Sequence, residues 1–329
     1  MKRIKGSIEK LLTRELIARV ANRYRAEHPR RRSSFDRFVK ASGGFDAMVE
    51  KLRGEMTSDA YKPDAGHWRE VQCDGKTRKI FAPSIRDAIA SASVAEVCRE
   101  YWCARCYPHQ FCNRRGMGTH MLARKLWAHL RHDKPTYYVK LDVKKCFDSL
   151  PHNATMAFLA RSVKDPRMIR LIWALLVRNA DVARGLPIGG GLSQYVANGI
   201  LTPVYSAMRA CKGVWRLYAY MDDVILTGGN KRKLLFATRL GGQILEALGM
   251  RWKRAPQVHR VEGEGVDLVG LRQWGDGRRR LRRKIFTRAC RAKKMGRVAS
   301  YFGWAKLAKD ERLFQLLSRR IMAYGKQCA

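Results

Sequence analysis

Tyr220-Met221-Asp222-Asp223 joins two short runs of β-formers, residues 215–220 and 224–227. Apolar residues that alternate and then break at a polar pair predict a hairpin. Two adjacent carboxylates would sit at its tip, ionised and free to converge on a cation. Asp-Asp is also an ordinary turn dipeptide, so the pair gains meaning only in company. That company is Asp142, which ends another strand-like run, Tyr137-Tyr-Val-Lys-Leu-Asp142, eighty residues earlier.

Phosphoryl transfer by two metals needs carboxylates from separate strands around ions roughly 4 Å apart. Hard oxygen ligands suit Mg²⁺ or Mn²⁺. A strand-end Asp and a hairpin-tip Asp-Asp can supply such a cage. Between them lies Gly185-Leu-Pro-Ile188-Gly189-Gly-Gly-Leu-Ser193-Gln194. Consecutive glycines before a helix-like segment allow close backbone approach to a ligand, or form a flexible loop before a helix that starts at Ser193.

In order and spacing, Asp142-x4-Phe147, Leu-Pro-Ile188-Gly189-x3-Ser193-Gln194 and Tyr-Met-Asp222-Asp223 resemble motifs A, B and C of reverse transcriptases. Arg78-Lys-Ile-Phe-Ala-Pro83-Ser-Ile-Arg86-Asp87 resembles the fingers motif before the palm, and Val266-Asp-Leu-Val-Gly270-Leu the primer-grip hairpin after it. The likeness runs from about residue 45 to near residue 314. It implies an α+β right-hand polymerase with fingers, an antiparallel palm sheet and a helical thumb. The expected parts are 1–60 as a basic helical segment, 61–135 as fingers with the start of the palm, 136–275 as palm and 276–329 as thumb.

The resemblance also assigns roles. Asp142, Asp222 and Asp223 are the expected catalytic and metal-binding groups, with Val143 beside Asp142 in the metal set. Phe147 is the expected aromatic gate against a ribose 2′-OH. Arg78 is expected to hold the triphosphate, with Lys76 as a second candidate. Ile188, Gly189 and Gln194 are expected at the nascent base pair and template.

Ile188 and Ser193-Gln194 stand where most relatives carry Gln and Ser-Pro. This resembles the reverse transcriptases of diversity-generating retroelements, as do Asn113-Arg-Arg-Gly116-Met-Gly118-Thr119-His120 and Ser300-Tyr-Phe-Gly303-Trp. That group implies mutagenic cDNA synthesis with errors opposite template adenines. It also implies a small basic accessory protein, homo-oligomeric in the group, and a structured non-coding RNA. Phage-defence reverse transcriptases are the alternative; a non-catalytic RNA-binding scaffold is the rival from another class. Group II intron and retron enzymes are expected to fit less well, because about sixty residues of this sequence follow Gly270 and no retron-type Asn-Ala-x-x-His lies between motifs A and B. Leu150-Pro151-His152 departs from the usual Ile-Asp-His, and no lysine stands at the motif D offset after Leu248-Gly249. Lys253 and Arg254 are the nearest substitutes.

The whole chain has 67 Lys and Arg against 28 Asp and Glu, a net charge of +39. That excess exceeds what solubility needs and implies a polyanionic partner, nucleic acid rather than a membrane; the resemblance implies that this is template RNA and cDNA, with dNTPs as substrates. The charge concentrates over residues 272–297, with twelve Lys/Arg and one acid, Asp276. Arg278, Arg279, Arg280, Arg282 and Arg283 are the expected phosphate contacts. With no long apolar run and no signal-like start, the expected location is cytoplasmic. The nine cysteines then read as reduced thiols. Cys103-x2-Cys106, with Cys98, His109 and Cys112 nearby, reads as packed thiols, with a structural zinc as the alternative.

Overall fold

The computed structural model describes residues 3–59, 61–73, 76–177 and 183–327. Four helices open the chain, α1 (Ile8–Leu11), α2 (Arg14–Glu27), α3 (Arg32–Ala41) and α4 (Phe45–Thr57). Thr13 starts α2 by accepting the Leu16 amide on its hydroxyl, satisfying one of the helix's orphan N–H groups. Strands β1 (His67–Cys73) and β2 (Lys76–Ala82) pair antiparallel; the sequence Asp74-Gly75 predicts a hairpin turn between them, and it lies outside the described residues. Helices α5 (Ile85–Arg105) and α6 (Thr119–His132) follow.

Next come β3 (Tyr137–Asp142), α7 (Cys146–Ser149), α8 (His152–Ser162) and α9 (Pro166–Leu176). Sequence periodicity predicts one helix near residues 156–177. The chain instead breaks it at Val163–Asp165, because Pro166 has no amide to continue a ladder and suits a first helical turn. Asp165 caps the new helix by accepting the Arg167 amide at 2.8 Å. Helix α10 (Ser193–Ala210), the hairpin β4 (Arg216–Tyr220) and β5 (Asp223–Gly228), and α11 (Lys231–Ala247) follow. The chain ends in β6 (Val258–Arg260), α12 (Val261–Glu264), β7 (Val266–Leu268), β8 (Leu271–Gln273), β9 (Arg279–Leu281), α13 (Arg283–Cys290), α14 (Met295–Ala308) and α15 (Glu311–Gln327).

Two compact units result. One comprises Met1–Tyr107, Lys144–Pro203 and Glu246–Met250; the other comprises Pro108–Val143, Val204–Leu245 and Arg251–Ala329. In the first, α2, α4, α5 and α9 bury Ile17, Val20, Met48, Leu52, Ile89, Val94, Trp102 and Ile172. Arg86 and Asp87 serve this packing. The Tyr61 hydroxyl donates to buried Asp87 at 2.7 Å, and Arg86 pairs with Glu55 at 2.6 Å and Asp64 at 3.0 Å.

The second unit is built on an antiparallel sheet of order β4-β5-β3-β6. Side chains alternate across a strand, so Tyr138, Lys140 and Asp142 share a face with their partners Thr227, Ile225 and Asp223. The apolar part of that face packs Tyr138, Tyr218 and Ile225 on Leu122, Leu126 and Leu130 of α6, one side chain per turn. A second sheet, β7-β8-β9, shares its core with α13, α14 and α15 through Leu271, Leu281, Ala289, Val298, Leu313 and Leu317. No helix among the described residues is long and apolar enough to cross a membrane.

Candidate active site

The carboxylates come together at one end of the β3–β5 ladder. Asp142 is the last residue of β3, and Asp223, the first of β5, is its direct Cα partner. Opposed residues of an antiparallel pair hold their side chains about 5 Å apart on one face. Asp222 precedes Asp223 in the turn, where Met221 takes φ 55°. A methionine there is strained by its Cβ. The Tyr205 hydroxyl, donating to the Met221 carbonyl at 2.7 Å, helps hold it. The Val143 amide reaches the Asp222 carbonyl at 3.3 Å, so main-chain bonds join the end of β3 to the turn.

Like charges at such range oppose one another. Burial first, then Asp142 and Asp223, push the Asp222 carboxyl above its ordinary value. Burial also raises Asp223, opposed by the nearby cations Lys140, Arg282 and Lys253 and reinforced by Asp142. Asp222 and Asp223 thus resist ionisation until a cation joins them.

Lys253 supplies one such cation. Its ammonium donates to Asp142 Oδ2 at 2.6 Å, and its amide to the Asp142 carbonyl at 2.8 Å. Side-chain exposures of 42% and 33% keep the pair within reach of solvent. The sequence left Lys253 as no more than a substitute at the motif D offset. Its place follows from a bridge between Val143 and Trp252, and Trp252 is anchored by its indole N–H on the Thr238 carbonyl at 3.1 Å.

Among the described residues, no three His, Cys, Asp or Glu side chains form a ready metal cage. The donors are nevertheless hard oxygens suited to a divalent ion, and the ammonium on Asp142 occupies a position where positive charge is favourable. Asp142, Asp222 and Asp223 are thus the residues that could hold the metal the motifs imply. The cysteine cluster suits zinc less well. Burial pushes the Cys98 and Cys112 thiols up, away from the thiolate a metal needs, and Cys106 Sγ donates to the Trp102 carbonyl at 3.3 Å.

The expected nucleotide-binding residues belong to the first unit. Phe147 is half-buried on α7, and its carbonyl accepts the Leu186 amide at 2.9 Å. The unusual Leu150-Pro151-His152 is clamped to the same segment. The Gly185 amide meets the Leu150 carbonyl at 2.8 Å, and His152 Nε2 lies 2.9 Å from the Gly185 carbonyl. Arg184, which the sequence did not single out, caps carbonyls of Leu248 and Gly249 at 3.2 and 2.9 Å. No local pattern announces such a clamp.

Half-buried Ile188 gives its carbonyl to the Phe81 amide at 2.8 Å, tying the glycine loop to β2. Gly189 takes φ +106°, and a Cβ on it would stand 2.5 Å from the Phe81 carbonyl oxygen. Gln194 sits in the first turn of α10. Arg78 is exposed on β2, opposite Val71. Lys76 begins β2, but its side chain lies outside the described residues.

Of the five arginines, three already have partners. Arg278 pairs with Asp276, and Arg282 with Asp267 at 2.7 Å. Arg279 stacks 3.8 Å over Trp127 and donates to the Leu307 carbonyl. Arg280 and Arg283 are exposed and form no salt bridge among the described residues.

Residues 62–255 match the family described as Reverse transcriptase (RNA-dependent DNA polymerase). Protein YkfC of Escherichia coli (strain K12) is 24% identical over 161 residues, 46% of this chain and 42% of that protein. The "Uncharacterized 91 kDa protein in cob intron" of Schizosaccharomyces pombe is 36% identical over 59 residues, 18% of this chain and 7% of that protein. The chain therefore spans less than half the length of these curated relatives. Among solved structures, apo telomerase from Candida tropicalis aligns with a TM-score of 0.52 at 13% identity, over 80% of this chain and 58% of that one. The fold is that of a right-hand polymerase, mixed helix and sheet with antiparallel sheets.

Proposed function

This chain belongs to the reverse transcriptase family, and we propose that it copies an RNA template into cDNA by metal-dependent nucleotidyl transfer. The observation that carries the proposal is the direct pairing of Asp142 with Asp223, with Asp222 beside it in the turn. A bound pair of Mg²⁺ or Mn²⁺ ions would activate the attacking 3′-OH and stabilise the leaving pyrophosphate. Asp142, Asp222 and Asp223 hold that charge, with Val143 contributing from its main chain. Lys253 neutralises Asp142 and orients its carboxylate. Arg78, with Lys76, takes the triphosphate. In this division of labour residues 1–60 form a basic lead-in, 61–135 the fingers and start of the palm, 136–275 the palm and 276–329 the thumb.

Phe147 excludes the ribose 2′-OH. Phe147→Ala should raise ribonucleotide incorporation by about 10- to 200-fold, the range for steric rejection of a small group. Single-nucleotide incorporation with paired rNTP and dNTP reads this directly; an unchanged ratio assigns the aromatic ring to packing alone.

Template RNA and cDNA are held mainly by phosphate contacts. Each neutralised phosphate contributes about −0.7 to the log–log salt slope for a single strand. Arg280→Gln with Arg283→Gln should therefore flatten the slope by about 1.4 units. A slope equal to that of the wild type would remove these two side chains from the binding surface.

The finer role is mutagenic copying in a diversity-generating retroelement, supported by Ile188, where most relatives place Gln. Ile cannot donate a hydrogen bond, so a correct pair loses about 1 kcal/mol of advantage over a mispair, several-fold in discrimination. The test is to sequence cDNA made on one defined RNA. The expected errors cluster opposite adenines and fall several-fold in Ile188→Gln. Uniformly low error would favour a defence reverse transcriptase, and no cDNA at all an RNA-binding scaffold. In the retroelement role, a small basic accessory protein and a structured non-coding RNA complete the assembly.

A further inference from the structure

We propose that the far end of the β4–β5 hairpin, with the first half of α11, is a second RNA-binding surface that grips single-stranded RNA away from the carboxylates. The proposal goes beyond copying, because such a surface would hold RNA on a catalytically dead chain.

The distance follows from the strand. β5 runs from Asp223 to Gly228, and five steps of about 3.4 Å put its two ends some 17 Å apart. At the Gly228 end the chain turns into α11. That helix turns Leu234, Ala237, Thr238, Gly241 and Leu245 inward. Gly241 packs on Met208 and Trp252, and Gly228 approaches Leu234. Among the described residues nothing covers the opposite face. Phe236 stands on it 63% exposed, the most exposed phenylalanine among the described residues.

A phenylalanine so open to water is costly, since about 25 cal/mol is forgone for each Å² of apolar surface left uncovered. Its neighbours at helical spacing are Arg232, Lys233 and Arg239. The preceding loop adds Lys212 and Trp215, the latter 38% exposed. Loop and helix form one surface: a Cβ on Gly213 would meet the Lys233 side chain, and one on Gly229 the Trp215 ring. The patch thus joins two exposed aromatic rings to Lys212, Lys231, Arg232, Lys233 and Arg239.

None of those five cations forms a salt bridge among the described residues. From Gly228 to Leu245 the sequence has no acid. Asp133, at the same end of the sheet, is occupied by His129 and Arg216. A protein partner would need acids of its own to match this surface. Single-stranded RNA satisfies it outright, with phosphates on the cations and a base on Phe236. Base–aromatic stacking tolerates any sequence.

Stacking and charge leave different marks in salt. A labelled single-stranded RNA of about 40 nucleotides is long enough to reach more than one surface, and its affinity can be measured by anisotropy across a salt series. Phe236→Ala should weaken binding about tenfold at every salt concentration, the loss of one base stack, without changing the slope. Arg232→Gln with Arg239→Gln should instead flatten the slope by about 1.4 units. Phe236 is so exposed that its removal leaves the core intact, and sedimentation velocity on the same samples reads self-association. Wild-type affinity in both variants would overturn the proposal. So would a loss of self-association in Phe236→Ala with RNA affinity unchanged, which would make the patch a contact between copies of this chain. Neither result depends on catalysis, so failure here leaves the polymerase proposal standing.

Discussion

Asp222→Asn should reduce primer extension by about a thousandfold or more, because charge stabilisation by a bound metal is worth several kcal/mol in the transition state. RNA affinity should change by less than about twofold, since the phosphate contacts assigned to Arg280 and Arg283 are untouched. Stability should move the other way. Burial and the neighbouring Asp142 and Asp223 raise the Asp222 carboxyl, so the native chain binds that proton more tightly than the unfolded chain does. Ionisation at neutral pH therefore costs native stability, and the cost vanishes as pH falls through the raised native value. Asn has no proton to lose. The variant should melt above the wild type at pH 7, with the gap closing on acidification, as differential scanning fluorimetry across pH would read. A variant that keeps full extension would remove Asp222 from the metal site. One that melts below the wild type at pH 7 would contradict the crowding of like charges.

Gly189→Ala should unfasten the glycine loop from β2. At φ +106° an alanine is strained, and its Cβ would stand 2.5 Å from the Phe81 carbonyl oxygen and 2.8 Å from Ile80 Cγ2. Backbone strain and overpacking each cost about 1–3 kcal/mol. About 3 kcal/mol in all corresponds to a local opening roughly a hundredfold more frequent. The reporter is the Phe81 amide, which the Ile188 carbonyl protects at 2.8 Å; its hydrogen exchange should quicken accordingly. Gly191 is the control. It has open space around it and no positive φ, so Gly191→Ala should stay within about 0.5 kcal/mol of the wild type. Equal behaviour of the two variants would mean that the Gly189 contact does not hold the loop.

The Asp222–Asp223 hairpin was legible because its information is local. Alternation marks β3 and β5, and the acids fall where each alternation breaks. The start of helix α10 at Ser193 was legible in the same local way. Strand β9 was not, since Arg279 and Arg280 look like phosphate contacts and only pairing with Gln273 and Arg272 makes them a strand. Strand β6, three residues long, is too short to carry a period. Pro166 was visible, yet the apolar run on either side outweighed it and hid a helix boundary. Lys253 shows the deeper limit. Its ammonium reaches Asp142 across 111 positions, through a bridge and an indole anchor that no window of sequence contains. The same holds for Arg279, whose charge suggested phosphate and whose packing against Trp127 is a tertiary fact.

The most direct measurement is extension of a labelled DNA primer along an RNA template by the purified chain, with dNTPs, as Mg²⁺ is titrated from zero. Copying by the Asp142–Asp222–Asp223 cluster predicts no product without metal and template-complementary DNA that lengthens as Mg²⁺ rises. A folded chain that binds the template yet adds no nucleotide in Mg²⁺ or Mn²⁺ would contradict it.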